Sequence, residues 1–220
     1  MLYNRVMKIG IFDSGKGGLL VFDEIKKVLP EAEYKYIADS KNCPYGEKTD
    51  EELMQIVRNN VDELKKWGAR IIVIACNTAT TRCIERLRKE YPELKFVGTE
   101  PAIRLASKTK AKKILVMATP GTIEAERTQS LLSENRQEGQ EFLLLACPGL
   151  ADAIEMGRGV SEKLRELLSG VLEVDCVVLG CTHYSLAKNE IKKFFLKAEI
   201  VDGNEGVAKR VKEVVRGSDE

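Results

Sequence analysis

The sequence predicts an α/β protein built from two similar doubly wound halves related by an internal pseudo-two-fold repeat, with its site in the cleft between them. Short apolar runs rich in β-branched residues alternate with helical patterns, which is the sequence form of parallel βαβ units. The runs also recur at one offset: Lys8-Ile9-Gly10-Ile11-Phe12-Asp13 superposes on Lys113-Ile114-Leu115-Val116-Met117-Ala118, and Ile71 to Cys76 on Cys176 to Cys181, because 118 − 13 and 181 − 76 both equal 105. Finally, Cys76 and Cys181 stand in matching places, each where an apolar run stops.

The first strand is expected over Val6 to Phe12. It runs into Asp13-Ser14-Gly15-Lys16-Gly17-Gly18 and then an apolar helical stretch from Leu19 to Leu29. Tyr34 to Ala38 is the next strand. Thr49-Asp50-Glu51-Glu52 forms a capping box that opens a helix with Leu53, Ile56, Val57, Val61, Leu64 and Trp67 along one face, and Gly68 ends it. Ile71 to Ala75 and Phe96 to Gly98 complete the first set of strands. Ile114 to Met117, Phe142 to Ala146, Val177 to Leu179 and Ala198 to Val201 form the second, and a last helix covers Asn204 to Arg216. No Pro/Gly/Ser-rich linker divides the chain. Crossings near Gly98 to Pro101 and Asp202 to Gly203 predict a first domain of residues 1–98 plus 203–220, carrying Cys76, and a second of 99–202, carrying Cys181. In such folds ligands bind at the carboxyl ends of the strands.

A chain of 220 residues with 44% apolar content can bury two cores of roughly 100 residues each. Its 35 basic and 34 acidic side chains nearly cancel. They alternate, as in Glu63-Leu64-Lys65-Lys66, so they read as solvated helix faces and exclude a nucleic-acid footprint. No apolar stretch approaches the roughly 20 residues that span a bilayer, and Met1 to Gly10 hold no signal-peptide core, so no membrane partner and a cytoplasmic location are expected. Six cysteines in a reducing compartment are then free thiols rather than disulfides. Cys-x-x-Cys is absent, so no metal site is expected.

Three segments carry chemistry. The Asp13 to Gly18 loop, with glycines that let backbone amides approach a ligand and a helix behind it, reads as a carboxylate site or as a tight structural turn. It matches neither a phosphate-binding P-loop nor a dinucleotide fingerprint. Asp13, an acid at a strand end near a thiol, can orient or deprotonate that thiol. Cys76-Asn77-Thr78-Ala79-Thr80-Thr81-Arg82 fits Cys-x5-Arg, the pattern of cysteine phosphatases, yet its repeat partner has Ala187 where Arg82 stands, which favours proton chemistry over phosphate capture. Cys181-Thr182-His183-Tyr184 holds the single histidine, and an adjacent imidazole is expected to lower the thiol pKa from about 8.5. Cys43, Cys83, Cys147 and Cys176 lack such settings and read as core or near-core packing.

Together with Asp39 and Pro44-Tyr45-Gly46-Glu47-Lys48, Glu100-Pro101-Ala102, Gly121-Thr122, Ala146-Cys147-Pro148 and Glu155-Met156-Gly157, these segments resemble the bacterial glutamate racemases, in the family's order and over nearly the whole chain. The resemblance implies a cofactor-independent enzyme of two α/β domains, often dimeric, that makes D-glutamate for peptidoglycan. It implies that Cys76 and Cys181 are the acid/base thiols, that Asp13 assists the first, and that Glu155 and His183 lie near the second. Ser14, Tyr45, Gly46, Asn77, Thr78, Thr119, Thr122 and Thr182 match positions that contact substrate. Ser185 departs from the family's proline. His183 leans towards glutamate, since related aspartate racemases tend to carry Glu there.

The expected chemistry is removal of the α-proton by one thiolate and its replacement by the opposite thiol, with a carbanion-like transition state stabilised by the Gly15 to Gly18 loop, Asn77, Thr78 and Thr182 in a water-poor cleft. An aspartate or broader acidic amino-acid racemase, a Cys-x5-Arg phosphatase and a non-catalytic amino-acid-binding protein are the alternatives.

Overall fold

A computed structural model describes residues 7–217. The parts of the expected first strand and first domain at residues 1–6, and of that domain at 218–220, lie outside the described residues, as does most of the stretch Met1 to Gly10.

The described residues form two four-stranded sheets, all parallel, of the same topology. In the first the strands are β1 (Lys8–Asp13), β2 (Glu33–Ala38), β3 (Ile71–Ile74) and β4 (Lys95–Gly98), in the order β2-β1-β3-β4. In the second they are β5 (Lys113–Ala118), β6 (Glu141–Ala146), β7 (Cys176–Gly180) and β8 (Glu199–Val201), in the order β6-β5-β7-β8. The 105-residue offset survives as register: Ile9 pairs with Ile71 in one sheet, and Ile114 with Cys176 in the other. It holds for the two central strands of each sheet and drifts at the edges, since Glu33 and Glu141, which open the second strands, lie 141 − 33 = 108 apart.

The helices of the first half are α1 (Leu19–Val28), α2 (Asp50–Trp67) and α3 (Asn77–Glu90). Those of the second are α4 (Ile103–Ser107), α5 (Pro120–Glu124), α6 (Glu126–Asn135), α7 (Leu150–Met156), α8 (Val160–Leu168), α9 (Thr182–Leu186) and α10 (Lys188–Phe194). The last helix is α11 (Asn204–Arg216). The expected capping box of α2 is formed by Thr49 and Glu52 in both directions, and Gly68 caps the other end with φ of 100°, in the left-handed region where a side chain is strained.

Alternate residues of each central strand feed two helical layers, as a period of two requires. Ile71 and Val73 pack with Val21 and Ile25 of α1 and Val207 and Val211 of α11, whereas Ile72 and Ile74 pack with Val57 and Leu64 of α2 and Leu87 of α3. In the second sheet Cys176 and Val178 meet Ile103 and Leu131, while Val177 and Leu179 meet Leu150, Leu164, Tyr184 and Ile191. The chain leaves the first sheet after Gly98, and α11 returns to cover it from the far end of the sequence. With both faces of both sheets covered, the polar ends of the strands are left to meet across the middle. No helix among the described residues is long and apolar enough to cross a membrane.

Candidate active site

Cys76 follows β3 and Cys181 follows β7, and each occupies the position just before a helix, α3 or α9. In that position the sulfur faces the helix's first free amides: Thr78 and Ala79 for Cys76, His183 and Tyr184 for Cys181. Such amides stabilise a thiolate. Both residues are nonetheless buried, 4% and 7% exposed. Burial, seconded by the negative charge of Asp13, pushes the Cys76 thiol up to about 12. Burial, then the proximity of Cys76, whose ionised form would repel a second thiolate, and the charge of Asp13, push Cys181 well above its ordinary value. Each sulfur therefore lies within electrostatic reach of the same carboxylate, and Cys181 within reach of Cys76. The single imidazole is beside the thiol as the sequence suggests, with His183 Nδ1 3.9 Å from the sulfur, yet the Cys181 pKa stays raised because burial outweighs the amides of His183 and Tyr184.

The two halves meet at two crossings. At the first, the loop after β1 is pressed against the start of α9. Asp13, fully buried, accepts hydrogen bonds through Oδ2 from the amides of Gly15 (3.3 Å) and Gly18 (2.9 Å), and from Thr182 Oγ1 of the other half at 3.2 and 3.3 Å. A Cβ on Gly17 would stand 2.5 Å from the His183 amide nitrogen, so only glycine lets the backbones approach this closely. The Lys16 amide donates to Glu155 Oε2 at 2.9 Å, and the Lys16 ammonium donates to the Glu155 carbonyl at 2.8 Å. The loop read as a carboxylate site is thus a carboxylate site for the protein's own acids: the amides of Gly15, Lys16 and Gly18 hold Asp13 and Glu155 and are not free to bind a transition state.

Glu155 Oε2 also lies 2.9 Å from Nε2 of His183, which is fully buried, and its Oε1 accepts from the Ser40 hydroxyl. Burial opposes its charge, but the donors Ser40, Lys16 and His183 together hold the carboxyl below its usual value. Asp13 goes the other way: burial raises it more than His183 and the three loop amides can offset.

At the second crossing the contact is neutral. Thr78 Oγ1, Thr119 Oγ1 and Thr122 Oγ1 form a three-way ring with distances of 2.9, 3.0 and 3.0 Å. Gly46 closes against it, since a Cβ there would stand 2.6 Å from that of Thr119. Beside the ring, Asn77 is buried, and the Cys76 thiol donates to Ser14 Oγ at 3.7 Å. Tyr45 is buried with its hydroxyl donating to Asp39 at 2.6 Å and accepting from Asn60 at 3.0 Å, so it anchors its loop.

Arg82 lies in helix, not in a loop around Cys76, and its guanidinium binds Asp50 and the Lys48 carbonyl. A Cys-x5-Arg anion loop is absent. Cys83, Cys147 and Cys176 are buried as expected, while Cys43 is half-buried and feels the charges of Glu155, Cys76 and Asp13. No group of three or more His, Cys, Asp or Glu among the described residues is arranged to hold a metal ion.

Residues 21–211 match the Asp/Glu/hydantoin racemase family. The chain belongs to that family. It is 39% identical over 215 residues to a glutamate racemase of Sulfurovum sp., covering 93% of this chain and 81% of that protein. It is 42% identical over 210 residues to one of Leptospira interrogans, with coverages of 93% and 81%. The crystal structure of Escherichia coli glutamate racemase in complex with L-glutamate and the activator UDP-MurNAc-Ala superposes with a TM-score of 0.85 at 30% identity, covering 96% of this chain and 83% of that one.

In this member of the Asp/Glu racemase family, sequence reasoning missed Ser40, Asn60 and the hydroxyl of Tyr36, which donates to the Gly15 carbonyl at 2.9 Å. Ser40 meets Glu155 across 115 positions of sequence, and a lone serine carries no signal of such a pairing.

Proposed function

We propose that this chain interconverts L- and D-glutamate in the cytoplasm without a cofactor, with Cys76 and Cys181 as the two acid/base groups, and that its product serves peptidoglycan. The observation that carries the reading is the pair of buried thiols at corresponding strand ends of the two halves, each facing helix amides and each sensing the charge of Asp13. We divide the halves into the domains 1–98 with 203–220 and 99–202.

Both sulfurs are buried in this closed arrangement, so substrate enters only when the halves part. Both are also held as neutral thiols. One must lose its proton before it can attack the α-hydrogen. His183 beside Cys181, and Asp13 near Cys76, are the acceptors, and the ammonium group of glutamate brings the positive charge that offsets burial. Asn77, the threonine ring and Thr182 line the two crossings and are assigned to the substrate's carboxylates, with Ser14, Tyr45 and Gly46 completing the wall. Closure then exchanges water for these fixed dipoles around the developing carbanion.

Incubating purified protein with L-glutamate, and separately with L-aspartate, and following loss of circular dichroism tests the reaction and its substrate. Uptake of deuterium at the α-carbon in D₂O separates an enzyme from a binding protein, which gives none. The resemblance extends the proposal to a homodimer, and sedimentation velocity decides that point.

A further inference from the structure

Glu155 belongs to the second half, yet two of the three side chains that donate to it come from the first. Ser40 hydrogen-bonds its Oε1, while Lys16 donates its backbone amide to Oε2 and its ammonium to the Glu155 carbonyl. The remaining donor, His183, carries the connection on to Cys181, with Nε2 on Glu155 and Nδ1 towards the sulfur. On the side of the other thiol the direct partner, Ser14, lies in its own half, and the reach across the cleft is one hydroxyl, Thr182, on Asp13.

We propose that Ser40 and Lys16 form a clamp from the first half that orients Glu155, and through it His183 and Cys181, so that the acid/base group of the second half is assembled only when the halves close. This rests on the two-thiol reading above. Ser40 and Lys16 are positioning residues: both are exposed, and the side-chain partners of the two sulfurs are Ser14 and His183 instead. The hydroxyl orients Oε1 and the amide Oε2, which leaves the carboxylate one plane in which to receive Nε2–H. That bond fixes the imidazole with Nδ1 as the atom facing the thiol. When the halves part, both clamp contacts break together, and Glu155 and His183 turn to solvent. The charged and titratable groups around Glu155 are Lys16 on the β1 loop, His183 on α9, and Tyr36 and Cys43 at electrostatic range.

The test uses Ser40→Ala, Ser40→Thr and Lys16→Met in the full chain. Because His183 is the single histidine, the imidazole ¹⁵N resonances of untagged protein report this one ring. In Ser40→Ala the acid-side transition that these resonances sense, the protonation of Glu155, moves to higher pH, and Ser40→Thr restores it. In the racemisation assay Ser40→Ala lowers kcat/KM about tenfold, mainly through kcat, and Ser40→Thr recovers it, while Lys16→Met, which keeps the amide bond to Oε2 and loses only the ammonium contact to the Glu155 carbonyl, lowers it severalfold less. The two enantiomers are equal in energy, so kcat/KM falls equally in both directions. The side of the defect is read instead from α-deuterium isotope effects, which rise for the enantiomer whose hydrogen Cys181 removes and fall for the other. Imidazole resonances unchanged in Ser40→Ala, or isotope effects that move together in both directions, would overturn the clamp. Shifted resonances in a protein that does not racemise glutamate would uphold the clamp and refute the reaction, so the two failures are distinct.

Discussion

One crossing of the cleft is made by charge and the other by hydroxyl groups, although both are built from the same repeated strand ends. Subtracting 105 pairs Thr182 with Asn77, His183 with Thr78, Thr119 with Ser14 and Ala118 with Asp13. The backbone and the thiol are kept in each pair while the neighbours diverge. Around Cys181 a carboxylate and an imidazole are in contact, and around Cys76 the nearest partner is a serine. Duplicating a fold therefore supplies two opposed thiols for a symmetric reaction, but their proton affinities are set separately by side chains that the repeat does not share. The ionising crossing responds to pH, and the threonine ring does not.

The largest effect tests what the crossings have in common. Cys76→Ala and Cys181→Ala should each lower racemisation roughly 10²–10⁴-fold while the far-ultraviolet spectrum stays that of the folded protein. Measurable turnover in either variant near the parent rate breaks the two-base scheme.

The next prediction separates the crossings. Glu155→Gln should cost about 10–10²-fold in kcat at neutral pH. Glu155 is held below its usual pKa, so the stability it contributes is present above the unfolded carboxyl pKa and is lost as pH falls through the lower folded value. Thermal melts of Glu155→Gln and the parent should thus converge in acid. Thr122→Val strips one member from the neutral ring and should cost about 1–3 kcal/mol at every pH. Equal pH dependence in the two variants would erase the distinction.

A smaller effect comes from Asp13, whose raised pKa has the opposite sign. Its charged form is disfavoured by folding, so its contribution to stability declines as pH rises from the unfolded carboxyl pKa through the raised folded value. Asp13→Asn should melt higher than the parent at pH 7, by about 2–4 °C for each kcal/mol recovered, and should racemise more slowly. A lower melting temperature would show that the loop needs the carboxylate to fold. Smallest of all, Arg82→Ala removes an ion pair with exposed Asp50. It also leaves the Lys48 carbonyl without this donor, so it should lower stability by about 1–2 kcal/mol and leave racemisation intact, as calorimetry and dichroism would show.

The eight strands of the described residues were legible because short apolar runs have few other uses in so charged a sequence, α2 because its periodicity and caps are local signals, and α11 through its periodicity. The site was legible as a set of residue types at strand ends. The pairing of those residues was not. Ser40 and Glu155 are far apart in sequence, and neither the clamp nor the use of the Gly15 to Gly18 amides as ligands for Asp13 and Glu155 leaves a trace in local pattern.

From the sequence alone came the two-fold design, the strand-end location of both thiols and the candidate acids, since each depends on residues near one another along the chain. Only the tertiary structure decided the protonation of those thiols. A pKa depends on how much water the fold removes and which charges it brings alongside, and here burial outweighs the helix amides.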